Sequence, residues 1–174
     1  MKVLKLTNII VHCSASYFGD AKTIDEWHKE RGWKGIGYHY VILNGIRNSK
    51  GGYKSEYDGL IEPGRTLDND LWIEENEVGA HALGFNQNSL GLCLIGGAND
   101  KKDGFTFKEY LSALVLCDFY SRLVPGIKIK GHNETGADKA CPVIDMDLFR
   151  FRLKTFFCDR SFVYLRKEIE KRGM

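Results

Sequence analysis

Apolar and polar positions alternate along this chain in several distinct periods. Residues 3–11 form a run broken only by Lys5, Thr7 and Asn8, which predicts a strand delivering His12 at its end. Thr23-Ile24-Asp25-Glu26 has the form of a capping box, and Ile24, Trp27 and Arg31 carry the helical period toward Trp33. Residues 38–43 predict a second strand, bounded by Gly37 and by Asn44-Gly45. Residues 46–59, rich in Gly, Ser, Lys and Tyr, read as a long hairpin excursion, after which a short strand resumes over 58–61. Residues 89–95 predict a buried strand ended by Gly96-Gly97. Thr106-Phe107-Lys108-Glu109 is a second capping box; its helix puts Tyr110, Leu111, Leu114, Val115 and Cys117 on one stripe and stops at Pro125-Gly126. A short strand over 126–130 leads into His132, and Asp145 caps a third helix with Leu148, Phe149, Leu153 and Phe156 facing the core. Phe162, Leu165 and Ile169 predict a last short amphipathic helix.

Strands interleaved with helices, without an internal repeat, predict an α/β fold: a single domain with a central mixed β-sheet flanked by helices. The domain is expected to span 1–157, with 158–174 as a basic helical extension. The chain has 174 residues, enough for a substantial core, and its net charge of +2 gives no reason to expect general nucleic-acid binding. Residues 160–174 hold five Lys or Arg against two Glu, a balance that usually marks a solvated helix face. Five cysteines without framework spacing argue against a disulfide-stapled fold. Residues 1–11 are too short and polar for a signal peptide, and no apolar run reaches membrane-spanning length. These features predict synthesis in a cytoplasm with reduced thiols; an outside substrate would be reached through helper-dependent export or lysis.

The chemistry concentrates at His12, at Gly131-His132-Asn133-Glu134 and at Lys139-Ala140-Cys141-Pro142. One imidazole at a strand end, with an imidazole and a thiol nine residues apart, is a pattern a mononuclear zinc site can use. A catalytic zinc site stops at three protein ligands so that water can take the fourth position. His132 and Cys141 both lie in polar, Gly-rich loops, and the Lys139 cation can stabilise a thiolate or donate to an oxyanion. His28 reads as a packing residue. Strand alternation sets Cys13 opposite His12 and His39 opposite Tyr38, so Cys13 and His39 also read as packing. Cys93, Cys117 and Cys158 read as buried small hydrophobes. Glu134 is a weak candidate for a general base, its bland alternative being a solvated loop carboxylate. Asn86 and Asn88 could touch sugar or shape a turn. Tyr17, Trp33, Tyr53 and Tyr57 could stack on sugars, although aromatic residues more often pack.

Seven motifs occur together in order: His12-Cys13-Ser14-Ala15, Glu26-Trp27-His28-Lys29, Gly37-Tyr38-His39-Tyr40, His81-Ala82, Asn86-Gln87-Asn88-Ser89, Gly91-Leu92-Cys93-Leu94-Ile95-Gly96-Gly97 and Lys139-Ala140-Cys141-Pro142. With them the chain resembles the zinc N-acetylmuramoyl-L-alanine amidases of the phage-lysozyme type, which are similar to animal peptidoglycan recognition proteins. The resemblance runs from about residue 6 to 157. It implies one Zn2+ held by His12, His132 and Cys141, with Tyr38 and Lys139 as catalytic polar residues. It also implies hydrolysis of the amide between the lactyl group of N-acetylmuramic acid and L-alanine in peptidoglycan. His81 is expected to contact substrate along an open groove, and a monomer is expected. The 46–59 excursion and the tail depart from the family pattern and leave substrate range and partners open. Two rival readings are a non-catalytic peptidoglycan-binding protein and a polymerase-regulating protein, the latter because some phage relatives bind a viral RNA polymerase.

Overall fold

The structure is a computed structural model that describes residues 4–68, 70–98 and 104–158. The predicted helix around Phe162 and all of the 158–174 extension after its first residue therefore lie outside the described residues, as do the side chains of Phe156 and Cys158. Five strands form the main sheet: β2 (Asn8–Cys13), β3 (Tyr40–Asn44), β4 (Asp58–Pro63), β6 (Ser89–Leu94) and β7 (Lys128–Gly131). Their spatial order is β4-β3-β6-β2-β7. Only β4 runs antiparallel, paired with β3, so the predicted mixed sheet is present. All six residues of both β2 and β6 are buried, as expected for central parallel strands covered on both faces.

The single strand predicted over 3–11 is in fact two. β1 (Leu4–Lys5) pairs antiparallel with β5 (Trp72–Ile73), a strand not anticipated from the sequence. The chain then changes partner: the Leu6 amide donates to the Leu71 carbonyl and the Thr7 amide to Asn88 before β2 begins. Apolar periodicity shows that residues are covered, but it does not reveal this change of partner.

Helix α1 (Ala21–Glu30) also starts earlier than predicted. Asp20 is its N-cap and accepts from the Thr23 amide at 2.8 Å, so Thr23 is capped rather than capping. Arg47 locks that carboxylate, reaching Asp20 at 3.1 Å and Glu62 at 2.6 Å, and its guanidinium lies over the Tyr57 ring. The 46–57 excursion is thereby tied to the start of α1. The helix ends short of Trp33, because Gly32 turns the chain with φ +82°. α1 buries Ile24 and His28 and packs with Ile36, Val41, Leu43, Cys93 and Ile95 on one sheet face.

The other face carries α2 (Phe107–Leu123) and α3 (Met146–Cys158), packed on Ile9, Val11, Ile42, Leu92 and Leu94 through Leu114, Cys117 and Phe149. The second capping box is present as predicted: Thr106 Oγ1 accepts from the Glu109 amide, and Glu109 accepts from the Thr106 amide. Asp145 caps α3 as predicted, accepting from the Leu148 amide at 3.0 Å. Val115 and Leu148, both expected in the core, are 43% and 42% exposed. The sheet meets α2 along Ala113, Leu114 and Cys117, which turns Val115 outward.

Candidate metal centre

Strand register places the site. His12 pairs with Cys93, which pairs with Val41, so His12 projects from the face that α1 covers. α1 packs on the β3 and β6 half of that face and leaves the β2 and β7 half to loops. β2 and β7 are parallel, so their C-terminal ends meet at one edge. There β7 hands the chain directly to a 3-10 turn that begins with His132 (His132–Thr135). Gly131 makes the handover possible: a Cβ would come within 2.5 Å of Asn133 Oδ1 and 2.9 Å of Met146 and Pro142.

Cys141 is drawn in by two contacts. Its carbonyl accepts from the Asn133 amide at 2.8 Å, and its Sγ accepts from the Cys13 amide at 3.3 Å. The ligating atoms of His12, His132 and Cys141 all lie within 4.8 Å of one another, and they form the one group of three or more potential metal-ligating side chains among the described residues. Cys141 Sγ is 3.7 Å from His12 Nδ1. Two tetrahedral ligands at zinc bond lengths stand about 3.6 Å apart. Two nitrogens and one sulfur, with one side open, fit a zinc ion by donor type and spacing.

Electrostatics favour neutral imidazoles here, the form that ligates metal. Burial holds His12 well below the ordinary histidine range, helped by His81 and His132. Burial and the Lys139 ammonium likewise lower His132. The Cys13 thiol, with burial, pushes the Cys141 thiol up; a coordinated cation reverses this, because a ligating thiol is deprotonated outright.

The other predicted site residues divide. The Tyr38 ring packs 5.0 Å from His12 and 5.4 Å from His28. Its phenol is raised well above its usual range, first by burial and then by Cys93, Cys141 and Cys13 nearby. The expectation that His39 faces away from Tyr38 needs correction. β3 begins only at Tyr40, so strand alternation does not reach Tyr38, and both rings approach His81. His39 is fully buried, accepting from the Gly91 amide and donating to the Glu77 carbonyl. His28 packs under Trp33 and accepts from the Gly37 amide, in keeping with the packing role expected of it.

His81 departs most from expectation. It is 8% exposed, its Nδ1 is 3.1 Å from His12 Nε2, and its Nε2 is 3.5 Å from Ser89 Oγ, so neither ring nitrogen is free for substrate. Glu134 is pinned by both Arg150 guanidinium nitrogens at 2.8 and 2.9 Å and by the Gly131 amide, and the Arg150 hydrogen bonds hold its carboxyl below the usual range. It braces the turn rather than acting as a base. Asn86 shapes a turn, its Oδ1 accepting from the His81 and Ala82 amides. Tyr17 and Tyr53 are 57% and 55% exposed. A concavity of about 740 Å³, lined by Phe107, Leu111 and Leu148, lies between α2 and α3 on the opposite sheet face, away from this chemistry.

The family described as N-acetylmuramoyl-L-alanine amidase matches residues 3–143. The chain belongs to this family. It is 36% identical over 144 residues to the endolysin of Escherichia phage T7, covering 79% of this chain and 81% of that one. The amidase LysC from Clostridium intestinale URNW superposes with a TM-score of 0.67 at 24% identity, covering 88% of this chain and 91% of that one. Peptidoglycan recognition protein-LE, solved with tracheal cytotoxin, shares the fold at a TM-score of 0.60 and 19% identity, covering 83% and 79%. The chain is an amidase that hydrolyses the bond between N-acetylmuramic acid and L-alanine in peptidoglycan. Among the described residues, no helix is long and apolar enough to cross a membrane.

Proposed function

We propose that this amidase is zinc-dependent, that His12, His132 and Cys141 hold the ion, and that Tyr38 and Lys139 are its catalytic residues. The observation that carries the reading is the convergence of three ligating atoms within 4.8 Å at one strand edge. Bound there, zinc supplies a Lewis acid that polarises a carbonyl and brings the pKa of a water toward about 7. Burial keeps the Tyr38 phenol protonated at neutral pH, so it can donate a hydrogen bond beside the reacting atoms or pass a proton on. Lys139 is exposed, two residues before Cys141, and its charge already acts on His132. Its ammonium can donate to the oxyanion that develops on the lactyl carbonyl. The half-covered sheet face leaves an open approach, which suits a polymeric wall substrate better than a closed cavity would.

Tyr38→Phe and Lys139→Ala are each expected to lower turnover by about 100- to 1,000-fold while keeping one zinc per chain. His132→Ala is expected to lose the metal. Near-normal turnover in either of the first two variants removes that residue from the mechanism, and full zinc occupancy in the third removes His132 from the ligand set.

A further inference from the structure

His81 is bound into the protein on all sides. A Cβ on Gly91 would come within 2.6 Å of its ring, and one on Gly79 within 2.5 Å, so two glycines clear a slot for this imidazole between the sheet and its own loop. The loop is fixed in turn. Asn86 holds the His81 and Ala82 amides at 2.9 and 2.8 Å, and His39 ties the Gly91 amide to the Glu77 carbonyl.

Hydrogen-bond direction along this chain of groups can be assigned. Ser89 Oγ donates its one hydrogen to the Phe85 carbonyl at 2.7 Å, so toward His81 Nε2 it can only accept. The proton of the neutral His81 ring therefore sits on Nε2, and Nδ1 is bare. At 3.1 Å that bare Nδ1 accepts the Nε2 hydrogen of His12. His12 then has its lone pair on Nδ1, the atom that faces Cys141 Sγ.

We infer that His81 is a positioning residue for the metal centre: it fixes the tautomer and orientation of His12 so that Nδ1 is presented to the ion. This inference rests on the proposed ligand set, and it replaces the expected contact of His81 with substrate. A partner on the second nitrogen of a ligating histidine typically contributes about 10- to 100-fold in metal affinity. The sequence signal is the pair of glycines, Gly79 and Gly91, on either side of a histidine in a loop before a buried strand.

The test is zinc affinity, measured by competition with a chelator for the full chain and for His81→Leu, His81→Asn and His132→Ala. Asn can place an oxygen near the former Nδ1 and accept from His12; Leu fills the slot without accepting. The expected result is a loss of about 10- to 100-fold in His81→Leu and recovery of most of it in His81→Asn. Wild-type affinity in His81→Leu, or equal losses in both variants, overturns the inference. If His132→Ala binds zinc normally, the ligand set itself is wrong, a failure distinct from an unmoved His81→Leu. Nitrogen-15 spectra of the metal-free wild type supply a readout that needs no variant. Protons on Nε2 of both His12 and His81 are expected, and a proton on His81 Nδ1 overturns the assignment.

Discussion

Glu109 shows how far surroundings decide the behaviour of one side chain. It closes the α2 capping box from a fully buried position, and its Oε1 has no partner. Burial pushes its pKa up to about 9, with the Thr106 amide opposing. The unfolded chain releases this proton near pH 4.5 and the folded one near 9, so the contribution of Glu109 to stability is fully present below pH 4.5 and declines as pH rises through that window. The slope is at most about 1.4 kcal/mol per pH unit. Glu109→Gln, which keeps an acceptor for Thr106, is expected to flatten the fall in urea midpoint between pH 6 and 8; an unchanged fall contradicts the assignment. His39 has the opposite sign. Burial lowers its pKa to about 4, so the unfolded chain takes up the proton first, and stability falls as pH drops from about 6.5 toward 4. At this scale the cluster of His12, His132 and Cys141 was legible, because these residues stand in short motifs at a strand end and in loops. The burial of His81 was harder to read: Gly79 and Gly91 stand in the sequence, but only the fold shows that both close on its ring. The bracing of Glu134 was equally hidden, since Arg150 lies sixteen residues away on another element.

Elements were legible where the local signal agreed with the tertiary partner. The capping box at Thr106 and the cap at Asp145 are present because their hydrogen bonds close within the turn itself; Asp58 also engages Thr106 Oγ1, but as an acceptor, which leaves that oxygen free to accept from the Glu109 amide. The box read at Thr23 was displaced by Asp20, whose carboxylate is fixed by Arg47 from the 46–57 excursion, a contact no local window contains. Asp20→Ala is expected to cost about 1 kcal/mol from the lost cap. Amide exchange should rise in the first turn of α1 and in the excursion together; faster exchange in the helix alone would mean the two are not coupled through Arg47. β1 and β5 escaped notice for a related reason. Each is two residues long, and they pair across about seventy positions of sequence.

For the whole molecule, topology explains where the site lies. Two parallel strands that end side by side bring His12 and His132 together, and a helix covering only half of one face leaves room for a long substrate. The segment 158–174 lies beyond the family match. A chain ending at Phe157 is expected to keep wild-type turnover per bound zinc; lost turnover with zinc retained would make the segment part of the working enzyme. The most direct measurement is digestion of intact peptidoglycan by the purified protein, stripped of metal by a chelator and then reloaded, with the released ends identified by mass spectrometry. New L-alanine amino termini beside intact glycan strands, abolished by chelation and restored by zinc, are the predicted result. Cleavage that continues undiminished after the metal has been removed would contradict a zinc centre built from His12, His132 and Cys141.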